Sequence, residues 1–378
     1  MNLFNVYPLF DIEIESGSGS YVFDSKGEKY LDLYGGHAPI SIGHSHPRYV
    51  QRITEQVNKI GFYSNSVQNP LQTELAQKLG ELSGKEDYSL FLCNSGAEAN
   101  ENALKLASFH NGKKKIISFT SGFHGRTSLA VAATDNPKIV APVNETPNTV
   151  ILPFNDVDAL KKEFSDDVCA VIVEGIQGIA GIYESSKEFL QTIRTLCDEH
   201  NAVFILDSVQ CGYGRTGKFF VTDHYDIEAD IYPMAKAMGN GFPIGGIVVS
   251  PKFQASFGLL GTTFGGNHLA CSAALAVLEV MESENLMENA TKVGDYAIEK
   301  LKEIEGVVDV RGKGLMIGIE LSFPVADIRK KLLFEDKIFT GASSNKNTVR
   351  LLPAYNVTTQ EIDQFIECFK NQLAAVPA

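Results

Sequence analysis

Two rhythms of apolar residues alternate along most of this chain. Short unbroken apolar runs, such as Cys169-Ala170-Val171-Ile172-Val173 and Ala202-Val203-Phe204-Ile205-Leu206, stop abruptly at a carboxylate, Glu174 or Asp207. Runs without polar alternation read as strands covered on both faces, as in a parallel sheet. Helical periodicity fills the segments after and between them, at 156–164 and 187–201. Strands and helices alternating at this spacing predict a doubly wound, mainly parallel α/β sheet.

The same reading extends in both directions. Alternating runs at 20–24 and 29–33 predict a hairpin, and 47–61 and 71–79 predict helices. Residues 88–93 read as a strand running into Asn94-Ser95-Gly96-Ala97-Glu98-Ala99-Asn100, which opens a helix. Strands are expected at 116–119, 149–153 and 246–250, and a long helix at 268–283. From about 285 the character changes. A charged helix at 285–305 precedes strands at 306–311 and 315–321, a helix at 325–334, a strand at 347–352 and a helix at 359–373. The expected organisation is therefore an N-terminal segment, 1–45, packing with a small α+β domain, 285–378, and a large domain, 46–284.

Composition narrows the class. At 378 residues, 44% hydrophobic and 21% charged, the chain has the make-up of a globular enzyme with a sizeable core. A net charge of −13 argues against nucleic acid or an anionic membrane as partner. An anionic substrate must then be drawn in by individual arginines. The six cysteines form no C-x-x-C pair, and several lie in apolar runs, which fits buried thiols in a reducing cytoplasm. The first residues have neither a basic stretch nor a long apolar one, so no signal peptide is expected, and no segment has the length of a membrane span. His44-x-His46 lacks a third ligand nearby and precedes Pro47, so a turn and helix start is expected there and no metal site.

The candidate chemistry gathers at strand ends, where open α/β sheets bind ligands. Asp207 closes its apolar run, and Lys236 follows about thirty residues later, before Gly239, Gly241, Gly245 and Gly246. An acid able to hold a ring nitrogen protonated, and a lysine able to form an imine, are the requirements of pyridoxal phosphate. Alternatively, Asp207 is a turn residue and Lys236 a solvated one. Ser95-Gly96-Ala97 stands where a strand gives way to a helix, an arrangement whose free N–H groups and dipole attract phosphate. Ser95 with Glu98 equally satisfies a capping box. In Ser121-Gly122-Phe123-His124-Gly125-Arg126-Thr127, an aromatic residue able to stack on a ring stands near an arginine able to grip a carboxylate.

Asp207-Ser208-Val209-Gln210, Gly214-Arg215-Thr216-Gly217 and Ala235-Lys236-Ala237-Met238-Gly239-Asn240-Gly241-Phe242-Pro243-Ile244-Gly245 resemble class III aminotransferases of the acetylornithine/succinylornithine type. The resemblance runs from Gly27 to Pro353 and implies the fold-type I architecture of pyridoxal-phosphate enzymes. It implies that Lys236 carries the cofactor and Asp207 holds its ring nitrogen. Val209 and Phe123 would pack on opposite ring faces, and Gln210 would reach the phenolic oxygen. Ser95, Gly96 and Ala97 would bind the phosphate, joined by Thr263 from a second subunit of a homodimer, whose loops near Gly36 and Tyr63 would also serve the neighbouring site. Arg126 would grip the distal carboxylate and Arg350 the α-carboxylate of 2-oxoglutarate. The implied activity is transfer of the δ-amine of an N-acylornithine to 2-oxoglutarate, in arginine biosynthesis. Ornithine, 4-aminobutyrate and acyl-lysine are alternative donors. A nucleotide-dependent dehydrogenase is disfavoured because no G-x-G-x-x-G follows the first strand of the sheet. A non-catalytic binding protein need not retain Lys236, Asp207 and both arginines together.

Three positions depart from the family pattern. Ser208 stands where the family has Glu, in the neighbourhood of Arg215. In Glu174-Gly175-Ile176-Gln177-Gly178-Ile179, Gly175 replaces the usual Pro and Ile179 the usual Glu that pairs with the arginine corresponding to Arg350.

Overall fold

The computed structural model describes residues 1–376. In chain order the elements are β1 (Ile14–Ser18), β2 (Tyr21–Asp24), β3 (Lys29–Asp32), α1 (Pro47–Lys59), α2 (Pro70–Ser83), β4 (Ser89–Cys93), α3 (Gly96–Asn111), β5 (Lys115–Phe119) and α4 (Ser128–Ala132). Then come β6 (Thr149–Leu152), α5 (Val157–Glu163), β7 (Val168–Glu174), a tight excursion of β8 (Ile176–Gln177), α6 (Gly178–Gly181) and β9 (Tyr183–Glu184), and α7 (Lys187–Glu199). β10 (Val203–Asp207), β11 (Ile231–Met234), β12 (Gly245–Val249) and α8 (His268–Ser283) complete this part. The remainder is α9 (Leu286–Lys302), β13 (Val307–Lys313), β14 (Met316–Leu321), α10 (Ala326–Phe334), β15 (Ile338–Phe339), β16 (Thr348–Leu351) and α11 (Thr359–Ala374).

The central seven-stranded sheet has the order β4-β12-β11-β10-β7-β5-β6. All neighbours are parallel except β12, which runs antiparallel to both β11 and β4. Every residue of β7 and β10 is buried, which is what their unbroken apolar runs require. Alternate residues serve opposite faces. Val171, Val173, Phe204 and Leu206 join the core built with α7 and α8. Ala170, Ile172, Val203 and Ile205 pack with Ala99, Ala103 and Leu106 of α3. Each buried aliphatic or aromatic side chain of this size contributes about 1.5–3 kcal/mol.

The sequence reading assigns no strand to residues 231–234, where Pro233 has no N–H to donate. The chain nevertheless forms β11 there, and the Pro233 carbonyl accepts from the Ser208 N–H at 3.0 Å. β13, β14 and β16 form a separate antiparallel sheet, and β15 pairs in parallel with β3, so the N-terminal meander is joined to the C-terminal part. Five strand ends of the large sheet (the carboxyl ends of β4, β5, β7, β10 and β11) lead directly into the segments described next.

Candidate active site

α3 starts where β4 ends. Ser95 is its N-cap, and the Ser95 hydroxyl accepts from the Glu98 N–H at 3.2 Å. The reciprocal half of the expected capping box is shifted by one residue, since Glu98 accepts from the Asn94 N–H at 3.0 Å. Gly96 and Ala97 face a cavity of about 270 Å³. Their N–H groups lie in the first turn of a 16-residue helix, where the backbone donors have no partner in the helix itself and the dipole favours an anion. Gly96 is required by a close approach: a Cβ there would lie 2.6 Å from Cγ1 of Val209, on the loop after β10.

The cavity floor is a buried polar network. Asp207 is 2% exposed. Its Oδ2 accepts from Asn100 Nδ2 at 2.8 Å and from His124 Nδ1 at 2.7 Å, and its Oδ1 from the Val209 N–H at 3.0 Å. With Asp207 ionised, these donors hold one charged acceptor in a fixed orientation. Beside it, Glu174 at the end of β7 accepts from the Phe123 N–H at 2.9 Å and the Gly178 N–H at 3.0 Å. Burial, and then the nearby Asp207 charge, push the Glu174 carboxyl upward. Asn100, His124 and Glu174 are absent from the sequence-based site. The available signal was a polar residue on the apolar face of α3, a histidine adjoining Phe123 and a carboxylate closing an apolar run.

Lys236 follows β11 by two residues and adopts φ +43°, a left-handed conformation that few side chains accept without support. Burial lowers its amine from the ordinary 10.5, against the opposing pull of Asp207 and Glu174. Phe123, Val209, Gln210 and Ile179 line the same cavity, and Arg126 stands exposed at its rim. Gln210 donates from Nε2 to the His37 carbonyl at 3.2 Å. His37 belongs to a left-handed turn, Gly35 to Ala38, with φ from 55° to 76°. Arg350, on β16, is 4% exposed and lies behind the cavity wall, donating to the Gly178 carbonyl at 3.0 Å and to the Ala342 carbonyl. Thr263 is not brought to this cavity; it is exposed on the loop before α8. Ser208 turns its hydroxyl to the Leu206 carbonyl at 3.1 Å, while Arg215 donates to the carbonyls of Leu315, Pro353 and Ala38 and stacks on the Tyr355 ring, its buried Nε having no hydrogen-bond partner among the described residues. His44 and His46 each hydrogen-bond to a separate carboxylate, Asp32 at 2.8 Å and Glu284 at 2.9 Å.

These residues fit pyridoxal phosphate. The helix start and Gly96 offer a cradle of backbone donors that a side chain would fill. Asp207 is a buried acceptor, and the Lys236 amine shares the cavity. Phe123 and Val209 provide apolar surfaces for a ring.

Comparison with known proteins gives a consistent result. Residues 5–373 match the aminotransferase class-III family. The chain is 42% identical over 376 residues to the acetylornithine aminotransferase of Archaeoglobus fulgidus, covering 98% of each. It is 41% identical over 374 residues to that of Methanocaldococcus jannaschii, covering 96% of this chain and 93% of the relative. Among solved structures, ornithine aminotransferase from Toxoplasma gondii superposes with a TM-score of 0.92 at 26% identity, covering 98% of this chain and 92% of that one. Acetylornithine aminotransferase from Elizabethkingia anophelis gives 0.85 at 30% identity, covering 99% and 96%.

Proposed function

The chain belongs to the class-III aminotransferases, pyridoxal-phosphate enzymes, and from that premise we propose that it transfers the δ-amine of an N-acylornithine to 2-oxoglutarate. The products are the acylated semialdehyde and glutamate, a step of arginine biosynthesis in the cytoplasm. The observation that carries this reading is the full-length likeness to acetylornithine aminotransferases, together with a lysine, a buried carboxylate and a helix start around one cavity.

When bound, the cofactor supplies an electrophilic carbon and a ring that withdraws electrons from the carbon losing its proton. The protein's residues do the rest. Lys236, with its amine lowered by burial, stands in the same cavity and is the group that would move a proton at the carbon bearing the amine. Asp207 would face the ring nitrogen, and its carboxyl group is oriented by Asn100, His124 and the Val209 N–H. Ser95, Gly96 and Ala97 would hold the phosphate, Phe123 and Val209 would flank the ring, and Gln210 would serve its phenolic oxygen. Arg126 grips the distal carboxylate of 2-oxoglutarate and Arg350 its α-carboxylate.

The active form is a homodimer, with Thr263 serving the neighbouring phosphate site. Support comes from apolar surface left uncovered in one chain. No residue of α1 is buried, although Val50 and Val57 lie on it, and Leu3, Phe4, Leu9, Tyr63 and Phe264 are exposed. Among the described residues no helix is long and apolar enough to cross a membrane.

The test is kcat/KM for acetylornithine, succinylornithine, ornithine and 4-aminobutyrate with 2-oxoglutarate. The acylated donors are expected to exceed ornithine. A preference for free ornithine favours the second reading, supported by the likeness in shape to ornithine aminotransferases.

A further inference from the structure

Ile179 leaves Arg350 without the acidic partner its position has in the family. Among the described residues, the acceptors that face its guanidinium are neutral: the Gly178 carbonyl at 3.0 Å, the Ala342 carbonyl and the Gln210 side-chain oxygen at 3.5 Å. Gly178 is itself held tightly. Its N–H donates to Glu174 at 3.0 Å, and a Cβ on it would lie 1.7 Å from the Gln210 oxygen. One glycine therefore touches a buried carboxylate on one side and a buried arginine on the other. The turn around it is gripped a second time, since the Ser344 N–H donates to the Ile179 carbonyl at 2.8 Å.

We propose that Glu174 is a positioning residue that sets the guanidinium of Arg350 through Gly178, and thereby the enzyme's affinity for α-carboxylates. The proposal rests on the reading of Arg350 as a carboxylate site. The bonds to these neutral acceptors engage Nε and Nη1 and leave Nη2 to an arriving substrate carboxylate. The arginine need not be released from an acid first, and its pose is fixed before the substrate arrives. Glu174 is suited to this because both its oxygens are engaged by backbone donors, Phe123 on the cofactor side and Gly178 on the arginine side. The effect falls chiefly on one half-reaction. The carbon reacting in glutamate bears a carboxylate, whereas the δ-carbon of an acylornithine bears none.

Glu174→Gln tests this, because a glutamine has a single acceptor oxygen and must set its NH2 against one of the two N–H donors. Binding of glutarate, an unreactive dicarboxylate, to the holoenzyme is measured by calorimetry. Affinity is expected to fall about tenfold, the size of one hydrogen bond to a charged group. In steady state, KM for 2-oxoglutarate is expected to rise by more than KM for the acyl donor. In an Arg350→Gln background, Glu174→Gln is expected to add less than about twofold to the loss of glutarate binding. Equal losses in both backgrounds, or no loss in the wild-type background, overturn the proposal while leaving the arginine's role standing. Unchanged glutarate binding in Arg350→Gln alone overturns the underlying reading and the proposal with it. Should Glu174→Gln not be recovered folded, Glu174→Asp takes its place. It keeps the carboxyl group but is one methylene too short, and wild-type glutarate affinity in that variant overturns the proposal.

Discussion

Gly96→Ala isolates the cradle at the start of α3. Gly96 does not sit in the left-handed region, so the backbone accepts alanine and only the added methyl is tested. That methyl would stand 2.6 Å and 3.1 Å from the two γ-carbons of Val209, whereas ordinary contacts begin near 3.4 Å. Val209 must retreat by about 1 Å, and its branched side chain has one strongly preferred rotamer in most settings. Its backbone is pinned as well, by the hydrogen bond from its N–H to Asp207 at 3.0 Å. In the cofactor-free protein the valine can lean into the cavity. With the ring present it cannot, so the strain appears in the binding equilibrium. Overpacking of this kind costs about 1–3 kcal/mol, which corresponds to roughly 5- to 150-fold in Kd. The assay is titration of the cofactor-free protein with pyridoxal phosphate, followed by absorbance, for wild type, Gly96→Ala, Val209→Ala and the double variant. The double variant is expected to bind as Val209→Ala does, because the clash is gone. A Gly96→Ala affinity within twofold of wild type, or a double variant no better than Gly96→Ala, refutes the reasoning.

Other outcomes follow from the same geometry. Borohydride reduction of the holoenzyme followed by peptide mapping is expected to find the cofactor on Lys236, and a label on another lysine removes that assignment. Cofactor-free Lys236→Met is expected to be more stable than cofactor-free wild type at pH 7, with the gap closing as pH rises. The sign follows from the lowered Lys236 amine: between its folded value and 10.5 only the unfolded chain keeps the proton, so raising the pH favours the fold. Urea denaturation at pH 7 and pH 10 measures the gap, and a gap independent of pH contradicts the lowered amine. Asp207→Asn is expected to keep cofactor binding yet lose about three orders of magnitude in kcat, and near-normal turnover would assign the ring proton elsewhere. Mixing Lys236→Ala with Thr263→Ala subunits is expected to restore activity in heterodimers that contain one intact site. Proven exchange without recovery means that sites are not shared.

Much of the fold was legible because its signals are local. The runs at 169–173 and 202–206 could bury both faces only inside a parallel sheet, and they do so in β7 and β10. Lys236, Asp207, Gly96 and Phe123 were legible because each stands beside a strand end or a glycine-rich turn, and the structure brings them to one cavity. Asn100, His124 and Glu174 were not, because their importance lies in what they touch. A helix-face asparagine has no meaning in sequence until Asp207, some hundred positions away, is folded against it. β11 was hidden by Pro233, whose missing N–H is harmless because its carbonyl is what the neighbouring chain uses. That Arg350 lacks its usual acidic partner was legible in Ile179; the acceptors it uses instead were not, since two of the three are backbone carbonyls that any sequence possesses.

The reversed strand β12 also decides when the site can exist during synthesis. β4 finds its only partner in the large sheet in β12, which emerges from the ribosome some 150 residues later, roughly 8–30 s at ordinary elongation rates. Throughout that interval the edge of β4 is an open template, exposed to pairing with other nascent chains. Gly96, Asp207 and Lys236 have all been made before β12 is complete, and α3 can already pack on β7 and β10, yet β4, the strand that leads into the cradle, still lacks its sheet partner. The edge of the sheet beside the cradle is thus closed by the last of its strands to be translated. A nascent chain arrested before Gly245 carries Ser95, Gly96 and Ala97 without the strand that fixes β4 in front of them.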